Sequence, residues 1–187
     1  MKKRCEKCGR EFETEIPSHR LCPNCFRSGA SSRTGTGTAS GGRIRPNWGA
    51  NFRFDDYLKE GYFRDPAERK QLRTEVVDAI ARDIAGVLER SYPETKPYQL
   101  RRVFNRLRAL ERSLRAQHSF EEIQAEITKL KPETFRQVGR KLISEDFRHF
   151  IDRNVDLAVQ NKDNFVRGFI PHFSAVLGFF EYIKPEK

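Results

Sequence analysis

No stretch of the 187-residue chain approaches the run of about 20 apolar residues that a membrane-crossing helix requires, so a spanning segment is excluded and no membrane partner is expected. The opening MKKRCEKCG is basic but has no apolar segment behind it, which is not the pattern of a secretory signal, and a cytoplasmic location is expected. Catalytic signatures are missing too: there is no HExxH, no GxSxG and no paired-carboxylate pattern. The glycines of Ser28 to Gly42 are not followed by Gly-Lys-Ser/Thr, so they do not form a phosphate-binding loop. His149 and Asp152 stand three residues apart and His172 sits amid phenylalanines, an arrangement that suggests an acid–base pair for RNA cleavage, but no third group completes a site and His149 and Asp152 read as a surface pair. The expectation is therefore a binding protein, not an enzyme.

Cysteine is scarce and concentrated. Cys5, Cys8, Cys22 and Cys25 are all there are, arranged as two C-x-x-C pairs thirteen residues apart. Such pairs let tight turns aim backbone amides at thiolates, and four sulfurs at about 2.3 Å close a tetrahedral zinc site. Gly9 suits the turn, and Lys2, Lys3, Arg4, Lys7 and Arg10 offset the net charge of four thiolates and one Zn²⁺. Two disulfides or a redox pair are the alternative, and neither a secretory signal nor a thioredoxin-like context supports them. His19 is a possible substitute ligand. A metal with all four positions filled by protein has no place for water, so the zinc is structural. Phe12, Ile16, Leu21 and Phe26 are the only apolar residues to cover it, which implies a ribbon or knuckle stabilised mainly by metal.

The formal charge of +10 is unevenly placed. Residues 1–49 hold ten Lys/Arg against four Asp/Glu, leaving +4 for the much longer remainder, and a polyanionic partner follows. Ser28 to Gly42 offers nothing to bury and reads as a flexible linker. After it, Arg43, Arg45 and Arg53 interleave with Trp48, Phe52 and Phe54. That mixture suits either a stacking surface for single-stranded nucleic acid or, as the favoured reading, an anchor onto the following domain.

From there the periodicity is helical and no strand pattern competes. Asp65-Pro66-Ala67-Glu68 predicts a capped start for a helix running to about Arg90, with Leu72, Val76, Ile80, Ile84, Val87 and Leu88 inward. Pro93 and Pro97 set the connection to the next helix, and Ser119 opens a short helix by a capping box, interrupted by Pro132 near Lys131. Ser144 caps a helix with Phe147, Phe150, Ile151, Val155 and Leu157. The last helix, Asn164 to Ile183, carries Phe165, Phe169, Phe173, Val176, Leu177, Phe180 and Ile183, with a kink expected at Pro171. The fold class predicted is all-α: a compact bundle of five or six helices over 50–187, preceded by a zinc ribbon or knuckle over 1–27 and a linker over 28–49.

Within the bundle, Tyr98 to His118 combines an apolar stripe of Leu100, Val103, Phe104, Leu107, Leu110 and Leu114 with six arginines and a single acid, Glu111. Arg101, Arg108, Arg112 and Arg115 gather on one flank and Arg102 and Arg106 on the other. The helix is either a solvated amphipathic one or a phosphate track, since guanidinium forks match phosphate oxygens at two points.

The helical part resembles a known family, the small subunits of type III-A CRISPR effector complexes, the Csm complexes. The resemblance covers roughly Phe54 to Ile183 and is carried by KPYQLRRVFNRLRALE, LKPETFRQVGRK and FVRGFIPHFSAVLGFFEYI, in that order. It implies a prokaryotic protein of antiviral defence, a helical bundle stacked with copies of itself beside other effector subunits, holding guide and target RNA without cutting it. Reading the backbone needs phosphate contacts, not base contacts. By motif position the resemblance assigns RNA binding to Arg101, Arg102, Arg106, Arg136, Arg140 and Lys141, and helical geometry adds Arg108 and Arg112. The cysteine module departs from the family pattern, and is expected to add a contact to RNA or to a neighbouring subunit. The competing reading is a free-standing zinc-ribbon RNA-binding adaptor whose helices serve as a dimerisation scaffold.

Overall fold

The computed structural model describes residues 2–4, 11–13, 47–116 and 118–185. The chain divides into two compact units, Met1–Arg43 and Ile44–Lys187.

In the first unit, β1 (Lys2–Arg4) and β2 (Glu11–Glu13) pair antiparallel, Lys2 opposite Glu13 and Arg4 opposite Glu11. Cys5, Cys8, Cys22 and Cys25 lie outside the described residues, as does the expected linker up to Pro46.

The second unit is helical. Its elements are α1 (Thr74–Val77), α2 (Ala79–Arg90), α3 (Pro97–Arg115), α4 (Phe120–Thr128), α5 (Leu130–Gly139), α6 (Glu145–Ala158), a π-helical segment (Asn164–Phe169) and α7 (Ile170–Ile183). This bears out an all-α bundle. α7 is its central member, packed against α2, α3 and the π segment. Its composition explains why: Ile170, His172, Phe173, Val176 and Phe180 are all buried, so apolar residues occupy more than one face. Phe173 meets Phe150 edge-on at 5.0 Å between ring centres, Phe104 at 5.7 Å, and stacks with Phe169 at 5.8 Å, so one ring ties three other segments together.

The predicted caps at Ser119 and Ser144 form: each hydroxyl accepts from a backbone N–H three residues on, Glu122 at 3.3 Å and Phe147 at 3.2 Å. Pro132 acts slightly earlier than expected. It sits in the first turn of α5, where its missing N–H costs nothing, and the break falls at Lys129. At Pro171 the disturbance appears as the π segment just before α7, consistent with a lost amide donor.

The helix expected from Pro66 is corrected. Asp65 does accept from the amides of Ala67 at 2.7 Å and Glu68 at 3.1 Å, but the turn closes after one cycle, with Arg69 in the left-handed region at φ 50°. Leu72 then pairs with Phe63 as an isolated antiparallel bridge, and helix begins only at Thr74. The local capping chemistry forms, and tertiary pairing of Phe63 with Leu72 overrides its continuation into helix.

The segment ahead of the bundle is anchored to it, as favoured. Gly49, at φ 68°, donates its amide to Asp83 at 2.8 Å, and Arg90 donates to the Trp48 carbonyl at 2.7 Å. Trp48 lies edge-on to Phe179 at 5.5 Å, and Phe52, Phe54 and Tyr57 form a T-shaped cluster. The approach needs Gly86, because a Cβ there would meet the Trp48 carbonyl oxygen at 2.2 Å. Residues 47–49 therefore pack on α2.

Candidate nucleic-acid interface

The arginine helix forms where the sequence places it, as α3. Pro97 takes the first helical position, and the Lys96 amide donates to the Gln99 side chain at 2.7 Å. Leu100, Leu107 and Leu114 are buried, with Val103, Phe104 and Leu110 packed against the core.

What the arginines do separates them into two groups. Arg101 donates to Glu181 of α7 at 2.6 Å, and Arg106 to Glu133 of α5 at 2.6 Å with Glu126 of α4 at 3.6 Å. Glu111 is buried, at 3 % exposure, with Arg108 and Arg115 both on its carboxylate. Beyond Glu111, the single acid on the helix itself, acids on α4, α5 and α7 reach it from across the bundle. Arg102, Arg112, Arg136, Arg140 and Lys141 are exposed and have no ion pair among the described residues.

Helical geometry and two side-chain contacts put three of those five along the groove between α3 and α5, with Lys141 in the turn that closes α5. Gln99 of α3 donates to the Leu142 carbonyl at 2.6 Å, just past α5, and Arg106 reaches Glu133, so the two helices run in opposite directions bridged at both ends. At about 100° per residue, Arg102 lies about 60° round from Gln99, and Arg136 lies about 60° round from Glu133 in the same sense. Because the helices are antiparallel, both offsets fall on the same side of the groove, and Arg140 lies nearly in line with Glu133. Arg112 lies farther along α3, toward the flank of Arg101 and Arg108.

Lys141 is held by backbone chemistry. Its amide donates to Val138 at 2.7 Å and that of Leu142 to Gln137 at 2.9 Å, the two bonds of a Schellman turn closing α5. The left-handed position in that turn normally falls to glycine, yet Lys141 occupies it at φ 56°, at a penalty of about 1 kcal/mol. Gly139 stands two residues too early to mark this turn in the sequence.

The residues weighed for catalysis are otherwise engaged. Arg148 donates to Asp152 and Glu145, each at 2.6 Å, and to His149 at 2.6 Å, so Asp152 and His149 do not pair. His172 is buried within a hydrogen-bond chain: Tyr62 donates to Asn154 at 2.7 Å, Asn154 to Tyr57 at 2.7 Å, Tyr57 to His172 Nε2 at 2.6 Å, and His172 Nδ1 to the Val76 carbonyl at 2.6 Å. Burial lowers the imidazole to about 4, against the weaker opposing pull of the Val76 hydrogen bond. The neutral ring is a structural tie. No helix among the described residues is long and apolar enough to cross a membrane.

The family model described as Csm2 Type III-A matches residues 71–186, well over half of the chain. No curated protein and no solved structure matches.

Proposed function

The chain belongs to the Csm2 Type III-A family, the small subunits of type III-A CRISPR complexes, and from that premise we propose that it holds guide and target RNA through sequence-independent backbone contacts and cuts neither. The observation that carries this is the α3–α5 groove, where Arg102, Arg136, Arg140 and Lys141 stand exposed without carboxylate partners among the described residues. Four uncompensated cations along one edge suit a regular array of phosphates, and Arg forks add two-point geometry. Arg112 extends the track along α3. Arg101, Arg106 and Arg108 join it only by exchanging a carboxylate for a phosphate, so they are secondary contacts. The partners follow from the family: other subunits of the complex and further copies of this chain, in the cytoplasm of a prokaryote.

The same reading includes one structural Zn²⁺ on Cys5, Cys8, Cys22 and Cys25. Its support is the spacing of the two C-x-x-C pairs in the sequence, which suits a closed four-thiolate site. Bound there, the metal would supply folding energy and no chemistry.

The test is filter binding of two unrelated RNAs at several salt concentrations with Arg102, Arg136 and Arg140 changed together to alanine. Both RNAs should bind more weakly, and the salt slope should shrink by roughly two to three, one unit for each lost phosphate contact. These side chains bear no ion pair within the described fold, so helical circular dichroism should be unchanged. Changing Arg101 and Arg106 instead should weaken binding less, while removing two ties between helices. A triple variant with the parent's affinity and slope would assign the groove to solvent.

A further inference from the structure

Large exposed apolar side chains are few among the described residues, and two of them flank the cationic groove: Tyr98, 62 % exposed, and Leu142, 45 % exposed. Tyr98 precedes Arg102 by one helical turn and therefore lies on the same side of α3. Its neighbour Gln99 is bonded to the Leu142 carbonyl, which brings Arg140 and Lys141 to the same end of the groove. The ring is well placed but unused: Pro97 and the Lys96–Gln99 hydrogen bond fix the backbone on either side of it, and no aromatic ring among the described residues lies against it.

We propose that Tyr98 is a stacking platform for an unpaired RNA base, beside the phosphate contacts of the α3–α5 groove. The inference rests on the backbone-binding reading and adds what that reading lacks, a preference for RNA carrying an unstacked base over uninterrupted duplex. Charge decides the occupant. A protein surface would bring apolar side chains to Tyr98 and would need acids for Arg102, Arg140 and Lys141, whereas one nucleotide supplies a π-face and an anion together. A base paired and stacked within a duplex offers its faces to its neighbours alone, so only an extruded or single-stranded base can use the ring.

The experiment compares a single-stranded RNA carrying one 2-aminopurine with its fully paired duplex, using the full chain with Tyr98→Ala and Tyr98→Phe. Tyr98→Ala should lose about tenfold in affinity for the single strand, within the range of one base–aromatic stack, and should bind duplex as the parent does. Tyr98→Phe should keep the single-strand affinity and the quenching of 2-aminopurine, because the phenol oxygen has no part in stacking. The Arg102/Arg136/Arg140 triple variant should weaken both RNAs. That separates the two readings: a triple variant that loses binding while Tyr98→Ala does not would leave the phosphate groove standing and remove the stacking platform. An unchanged RNA affinity with an altered oligomeric state in Tyr98→Ala would give the ring to a protein interface and overturn the proposal. A parent chain that binds neither RNA would remove both.

Discussion

His172 sits where a charge cannot follow. It is fully buried, donates to the Val76 carbonyl and accepts from Tyr57, so one tautomer satisfies both ring nitrogens and a proton on Nε2 would break the bond to Tyr57. Burial, the dominant cause, depresses its folded pKa from 6.5 to about 4. A depressed base is stabilising where it is neutral in both states, above 6.5, and that contribution is lost as the pH falls from 6.5 toward 4, because the unfolded chain binds the proton first. The full loss is about 3 kcal/mol at about 1.4 kcal/mol per pKa unit. Urea unfolding at pH 7, 6 and 5 should show stability falling across this window, and His172→Gln should flatten the slope while lowering stability at pH 7. A parent stability constant from pH 7 to 5 would mean that the imidazole is not buried neutral. From sequence His172 was legible only as a histidine set among phenylalanines, and neither its burial nor its partners were. Tyr57 and Val76 lie about a hundred positions earlier, and no local pattern announces a hydrogen bond across that distance.

Helices were legible where one face of a regular stripe met one core. α3 and α6 lie close to their expected bounds because Leu100, Leu107 and Leu114, and Phe147, Phe150, Ile151 and Val155, keep the helical period without interruption. The stretch from Asp65 to Arg73 failed because its outcome depends on a bridge to Phe63, outside any helical window. The groove was legible only in part: the arginines' flanks could be assigned by period, but the acids that occupy Arg101 and Arg106 come from other helices. At this scale the contact of residues 47–49 with α2 gives a sharp prediction. Gly86→Ala places a methyl group against the Trp48 carbonyl, 2.2 Å from it if nothing moves, and the glycine faces backbone that has no flexible end to yield. Overpacking of this kind costs about 1–3 kcal/mol, and the cheapest relief is release of the turn. Trp48 is the only tryptophan, so its emission should shift to the red in Gly86→Ala while the helical circular dichroism remains. Unshifted emission with parent thermal stability would show that the turn does not pack as closely as described.

At the scale of the whole molecule, two units of different physical origin share one chain. The helical unit has a core of its own, built on buried phenylalanines from α6, the π segment and α7, and the family match, residues 71–186, lies entirely within it. The first unit, Met1–Arg43, has four cysteines and few apolar residues, so its stability should come from metal instead of burial. If so, the two should respond independently to loss of zinc. Protein purified without chelator should carry about one zinc per chain by elemental analysis, and changing Cys5 and Cys22 to serine should abolish it. Chelator should remove the metal yet leave the helical signal and its thermal midpoint unchanged, because the buried core described for the helical unit is built from residues between Tyr57 and Phe180. Zinc content below a third of one per chain would remove the metal site. A cooperative loss of helix on chelation would instead show that the helical unit depends on the metal-bound module, and that the division at Arg43 does not separate two independently stable parts.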